Sequence, residues 1–199
     1  MSSMTSAPVA ERRMSAADRR DAILDAASVV FGERGYVGAT TDQVARAAGI
    51  SQPYVVRMFG SKEALFLAVI DRAKTAVLEA FRSALEGWRE EGSPTGDPSC
   101  VLGPAYFELV RERGVHTSLM QAFMQGSDPV VGRAARSGFL DIWRFLREEA
   151  GLDAETSRLF LADGMLINVL LGLEMARDPA GQELLAQTFG DKLDVLPPA

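Results

Sequence analysis

Apolar residues recur at helical spacing in blocks along this chain, and short polar or glycine-bearing stretches separate the blocks. Ile23, Ala27, Val30 and Phe31 mark the inner face of a first helix. Ser15 opens it, Asp18 completes a capping-box-like start, and Gly35 supplies a stop. Thr40 and Gln43 repeat the capping pattern before a second helix that ends at Gly49 after only two turns. Ser51 is placed to cap a third, with Pro53 in its first turn, where a missing N–H costs nothing. Ser61 opens a fourth, whose apolar positions Leu65, Phe66, Val69 and Ile70 continue through Ala73, Val77, Leu78, Phe81 and Leu85 toward Trp88. The run Glu90 to Pro98, EEGSPTGDP, reads as a linker. Beyond it the pattern predicts helices near Val101 to Arg113, Val115 to Gln125, Pro129 to Ala150 and Asp153 to Arg177, with a short one near Gln182 to Phe189. Residues 1–14, rich in Ser, Ala and Thr, show no periodicity and are expected to be a disordered arm. No alternating strand pattern bounded by hairpin dipeptides occurs, so the fold class is all-α.

The second and third helices carry the most informative spacing. Two short helices that cross closely need a small residue at the crossing and a turn residue free to take positive φ. Ala45 and Gly49 meet those needs, and Ile50 and Val55 can plug the angle between the helices. Ala45 and Gly49 alone would equally describe an ordinary helix interior and its cap. A capped helix before, a capped short helix after and polar residues facing outward favour a helix-turn-helix over residues 40–59. Gln52 and Tyr54 lie in the first turn of the third helix and Arg57 a turn later, where each can reach base edges or phosphates. Lys62 sits in the first turn of the fourth helix, against the positive end of the dipole, and a bound phosphate would repair that conflict. A solvated lysine offset by Glu63 is the plainer account.

Charge looks wrong for a nucleic-acid binder until it is divided. The chain carries a net −6, yet residues 1–72 hold nine Lys/Arg against eight Asp/Glu, a net +1, while residues 73–199 hold twelve against nineteen, a net −7. An acidic body behind a nearly neutral reading head is tolerable, because phosphate attraction depends on local cation placement.

The stretch from Arg20 to Ile70 resembles the DNA-binding domain of the tetracycline-repressor (TetR) family. The residues that carry the resemblance are Ile23-Leu24, Ala26-Ala27, Phe31, Gly35-Tyr36, Thr40-Thr41, Val44-Ala45, Ala48-Gly49-Ile50-Ser51, Phe59 and Ser61-Lys62-Glu63-Ala64-Leu65-Phe66. The resemblance implies a three-helix head over residues 15–72, joined by the long fourth helix to a helical ligand-binding and dimerisation body over residues 73–199. It implies DNA contacts from Thr40, Thr41, Ser51, Gln52, Tyr54, Arg57 and Lys62, with Thr41 and Lys62 holding phosphates. It implies no cofactor. One departure is Val56, where the family often has tyrosine, while a tyrosine stands instead at Tyr54. Arg12 and Arg13 are placed to reach the minor groove as a flexible arm, although two arginines in a tail often do nothing specific.

In the body, Leu159 to Met175 is apolar nearly all round, and such a helix must be covered all round. Phe139, Trp143, Leu146, Leu159, Leu166, Leu170 and Leu173 are the expected interface of a homodimer built from two helices per subunit; a deeply buried monomer core is the alternative. Tyr106, Phe107, His116, Met120, Phe123, Met124, Trp143 and Met165 either pack the core or line a cavity for an apolar or aromatic effector, with His116 or Asn168 as a polar anchor.

Other classes find little support. One cysteine, Cys100, and one histidine, His116, leave no disulfide, zinc set or nucleophile-base pair, and favour a reducing compartment. The expected location is cytoplasmic, since no signal-peptide stretch appears and the apolar run Met165 to Leu173 is too short to span a bilayer. The expected partners are double-stranded operator DNA, a small-molecule effector and a second copy of the chain. A helical adaptor of the same fold without DNA binding is the competing reading.

Overall fold

The computed structural model describes residues 14–93, 96–110 and 114–189, and the proposed arm with Arg12 and Arg13 lies outside them. Among the described residues every regular element is helical. They are α1 (Ala16–Gly38), α2 (Thr41–Ala48), α3 (Gln52–Phe59), α4 (Lys62–Glu90), α5 (Ser99–Val110), α6 (Val115–Met124), α7 (Val131–Arg144, widening into a π-turn at Phe145–Glu149), α8 (Ala154–Gly172) and α9 (Pro179–Phe189).

Local chemistry accounts for most boundaries. Ser15 and Asp18 exchange both hydrogen bonds of a capping box, and so do Thr40 and Gln43. Gly35 takes φ 68°, a left-handed value that breaks α1 before a last turn to Gly38. Ser61 caps α4 by accepting from the Ala64 N–H at 3.0 Å. The helix expected to run from Asp153 to Arg177 stops at Gly172, because Glu174 enters the left-handed region at φ 52° and a short 3₁₀ turn, Met175–Arg177, follows.

Helix α4 is the spine. Its first half packs Leu65, Phe66, Val69 and Ile70 with Phe31 of α1, Val44 of α2 and Val55 of α3. The Phe66 ring lies 4.7 Å from Phe31, tilted against it, and 4.8 Å from Tyr36, on which it stacks, a three-ring cluster that anchors the head. Its second half packs Val77, Phe81 and Leu85 with Leu102, Leu119, Phe145 and Leu146. Each of these fully buried side chains contributes roughly 1.5–3 kcal/mol relative to exposure.

A second joint links head and body where α1 crosses α6. Gly114, at φ 94°, lies against Ser28, and Gly32 lies against Thr117 so closely that a Cβ there would stand 3.0 Å from Thr117 Cβ and nearer still to Oγ1. Glycine is required at both positions for this approach.

Two expected interface residues are corrected. Leu146 is fully buried between α4 and α8, and Leu170 faces the interior. Within the single chain α8 is covered on one side only: Leu159, Leu166, Val169 and Leu173 are exposed, with Ala162 between them. Their 3-4-3-4 spacing draws one apolar stripe along the helix. Phe139 and Leu140 of α7 add to the exposed apolar surface.

Candidate nucleic-acid interface and effector cavity

The turn between α2 and α3 is set by Gly49, at φ 65° and ψ 26°. Its N–H bonds the Arg46 carbonyl, and the Ile50 N–H reaches back to the Ala45 carbonyl at 2.9 Å. These paired bonds close a Schellman end and redirect the chain. Ala45 and Val55 are buried at the crossing and Ile50 packs beside them, as a helix-turn-helix requires. Ser51 occupies the cap position of α3 by backbone conformation, but its side chain makes no capping hydrogen bond, which corrects that expectation. The hydroxyl is exposed and unspent.

The expected DNA contacts fall into three groups. Thr41 and Gln52 come together, with the Gln52 amide donating to Thr41 Oγ1 at 3.4 Å. Tyr54 and Arg57 form a second group: the Arg57 guanidinium lies 4.7 Å from the Tyr54 ring centre, and Arg19 of α1 lies 5.2 Å from the same ring. Arg20 lies 4.8 Å from the ring of Phe59, at the other end of α3. Arg19 and Arg20 were not anticipated from sequence; two adjacent arginines near the start of α1 carry no local mark of an aromatic partner some 35 to 39 residues on.

Lys62 stands apart as the third. Its ammonium donates to the carbonyls of Tyr36 at 2.9 Å and Val37 at 3.3 Å, and lies 4.8 Å from the Tyr36 ring centre. The lysine that looked misplaced at the start of α4 therefore neutralises the negative end of α1. The electrostatic conflict is resolved within the chain, and no phosphate is needed to repair it. Thr40 spends its side-chain oxygen on the Gln43 N–H.

In the body, a cavity of about 320 Å³ opens between α5, α8 and α9, lined by Tyr106, Phe107, Phe160, Asp163, Gly164 and Ile167 among others. A smaller one of about 50 Å³ adjoins it, lined by Phe81, Tyr106, Phe123, Phe160, Gly164, Met165 and Asn168 among others. Tyr106, Phe160 and Gly164 border both. The Tyr106 hydroxyl donates to Asn168 Oδ1 at 2.9 Å, and burial raises the Tyr106 pKa above its ordinary value while that bond opposes the rise. Thus Tyr106, Phe107, Phe123, Met165 and Asn168 of the expected cavity set line these spaces. His116, Met120, Met124 and Trp143 line neither. Met124 is exposed, and His116 lies against the Val110 backbone, its pKa lowered by burial, with Nδ1 buried and unpartnered.

Residues 23–69 match the sequence model of the family described as bacterial regulatory proteins, tetR family. Over this stretch the chain is similar to that family's DNA-binding domain. It is 43% identical over 68 residues to the HTH-type transcriptional activator FasR of Mycolicibacterium smegmatis, a stretch covering 34% of this chain and 31% of that protein. It is 32% identical over 84 residues to the HTH-type transcriptional regulator RutR of Escherichia coli K12, covering 42% and 38%. The matched stretch thus spans about a third of the length of these tetR-type relatives. Solved structures extend the likeness of fold to the body. A TetR-family member from Streptomyces coelicolor A3 superposes with TM-score 0.59 at 22% identity, over 90% of this chain and 98% of that one. GusR of Salmonella enterica gives 0.59 at 21% identity, over 92% and 98%. No described helix is long and apolar enough to cross a membrane, and no described group of His, Cys, Asp and Glu has metal-site geometry.

Proposed function

We propose that this chain is a homodimeric, effector-responsive DNA-binding regulator of transcription, acting in the cytoplasm and most simply as a repressor. The observation that carries the reading is the outer face of α3. Gln52, Tyr54 and Arg57 stand on a short helix aimed outward by the Gly49 turn, within a segment of tetR type. Residues 15–72 serve as the reading head and residues 73–199 as the regulatory and dimerisation body.

The stripe Leu159, Ala162, Leu166, Val169 and Leu173 is an exposed helix face of the kind that a second copy covers. A two-fold dimer built on it places two α3 helices on half-sites about one helical turn apart, or a multiple of that. An apolar or aromatic effector in the cavity beside Tyr106 and Phe160 changes the separation of the heads. It weakens DNA binding by its differential affinity for the two separations.

The test is selection of bound sequences from random double-stranded DNA. The expected result is a pseudo-palindrome whose affinity falls steeply with salt. Absent or salt-independent binding refutes the regulator reading and favours the helical adaptor.

A further inference from the structure

Three arginines of the head are held differently from four in the body. In the body Arg82 pairs with Glu149, Arg144 with Asp141, Arg158 with Glu155 and Arg177 with Glu174. In the head Arg46 pairs with Asp42, and Arg72 with Asp25. Arg19, Arg20 and Arg57 instead rest on aromatic rings, and among the described residues none of the three guanidinium groups forms an ion pair with a carboxylate, although, beside the Ser15 hydrogen bonds, Arg19 is near enough to Asp18 to help lower that carboxyl's pKa. A carboxylate both holds and neutralises a guanidinium; a ring face holds it and leaves the charge in place. Two cations gathered on one ring repel each other in the free protein. The arrangement becomes favourable when an anion or a base edge arrives.

The three arginines differ in place. Arg57 is exposed on α3 itself, and stacking by one face leaves the in-plane N–H fork that matches guanine O6 and N7. Arg19 and Arg20 come from α1, one against each end of α3, outside the helix that would enter the groove. Gln52 is less free than Arg57, because its amide is turned toward Thr41.

Resting on the regulator reading above, we propose that Arg57 is the base-reading residue of α3 and that Tyr54 positions it rather than reading a base. Arg19 and Arg20 are backbone-phosphate contacts supplied by α1 at the two ends of α3. The aromatic residues of α3 thus serve as platforms for arginines, and the head gains two DNA contacts from outside the helix-turn-helix.

The experiment uses the full chain. The site selected by the wild type, each single-base variant of it and unrelated duplex DNA are titrated against Tyr54→Phe, Tyr54→Leu, Arg57→Lys and Arg19→Ala at several salt concentrations. Far-UV circular dichroism melts report whether each variant is folded. Arg57→Lys keeps the charge but not the fork, so it is expected to lose about tenfold or more of the discrimination at one guanine position. Tyr54→Phe keeps the ring and retains discrimination there, whereas Tyr54→Leu loses discrimination at that same position. Arg19→Ala weakens specific and unrelated DNA by similar factors and lowers the slope of log affinity against log salt by about 1.8, roughly 0.9 for each protomer of the dimer.

If Tyr54→Phe loses discrimination as fully as Tyr54→Leu, the hydroxyl is the reader and the positioning role is wrong. If Arg57→Lys leaves every position unchanged, Arg57 reads no base. An unchanged salt slope in Arg19→Ala removes the α1 contact. These outcomes are separate from failure of the regulator reading, which would appear as the wild type selecting no sequence at all.

Discussion

Replacing Gly32 by alanine sets two known effects against each other at the α1–α6 joint. In an ordinary helix interior the change gains about 0.5–1 kcal/mol, because glycine loses more backbone entropy on folding. Here the new methyl would stand 3.0 Å from Thr117 Cβ and closer to Oγ1. Rotating Thr117 moves Oγ1 but not Cβ, and a β-branched side chain has few rotamers open to it in a helix. The two helices must therefore separate by some tenths of an ångström, an overpacking cost of about 1–3 kcal/mol. The expected net effect is a loss of about 0.5–2 kcal/mol. Thr117→Ala removes the nearest atom, so the double variant Gly32→Ala/Thr117→Ala recovers most of that loss, with a coupling of about 1 kcal/mol or more. Urea denaturation of the parent, both single variants and the double variant measures each quantity. A Gly32→Ala protein more stable than its parent, with effects that simply add, would refute the close approach of α1 and α6.

Leu146→Ala is expected to cost about 2–5 kcal/mol in denaturant stability while leaving self-association intact, because the side chain is fully buried within one chain. Leu166→Asp, on the exposed stripe of α8, is expected to shift a dimer to monomer in sedimentation without comparable loss of fold, and an unshifted dimer would exclude this stripe as the interface. His116 is the one histidine of the chain, so its imidazole proton resonances follow it alone, and they are expected to titrate with a midpoint below 6.5. The unfolded chain then takes up a proton that the folded one resists, so this contribution to stability is present above about pH 6.5 and is lost as pH falls below it; His116→Gln should flatten that part of the pH dependence. Gly164→Leu fills the wall shared by the two cavities and is expected to abolish thermal stabilisation by any apolar compound that stabilises the wild type.

Much of the head was legible because its signals are local. The pairs Ser15/Asp18 and Thr40/Gln43 are three residues apart, and a capping box needs only those two residues and the backbone between them. The Ala45, Gly49 and Val55 spacing is likewise decided within two turns of helix. Lys62 was misread because its carbonyl partners lie 25 and 26 residues earlier, where only the folded chain brings the end of α1 to the start of α4. The same limit hid the stacking of Arg19 and Arg20. In α8 the failure was of phase: with apolar residues on nearly every face, sequence gives no preferred direction, so inward Leu170 and outward Leu173 look alike. Leu146 lies in the π-turn, where the register departs from the 3.6-residue period that grouped it with Phe139 and Trp143.

The division of charge between the two halves has a kinetic consequence. A body that carries a net −7 and pairs arginines such as Arg82 and Arg158 with its own carboxylates is, taken as a whole, unfavourable to a polyanion. An encounter with duplex DNA made body first is repelled once the surfaces approach within a screening length of about 8 Å, whereas one made head first meets arginines that no carboxylate masks. The molecule thus carries a built-in sense of approach. Reversing part of the body's charge is expected to raise unproductive, wrongly oriented binding even though no residue near α3 has changed.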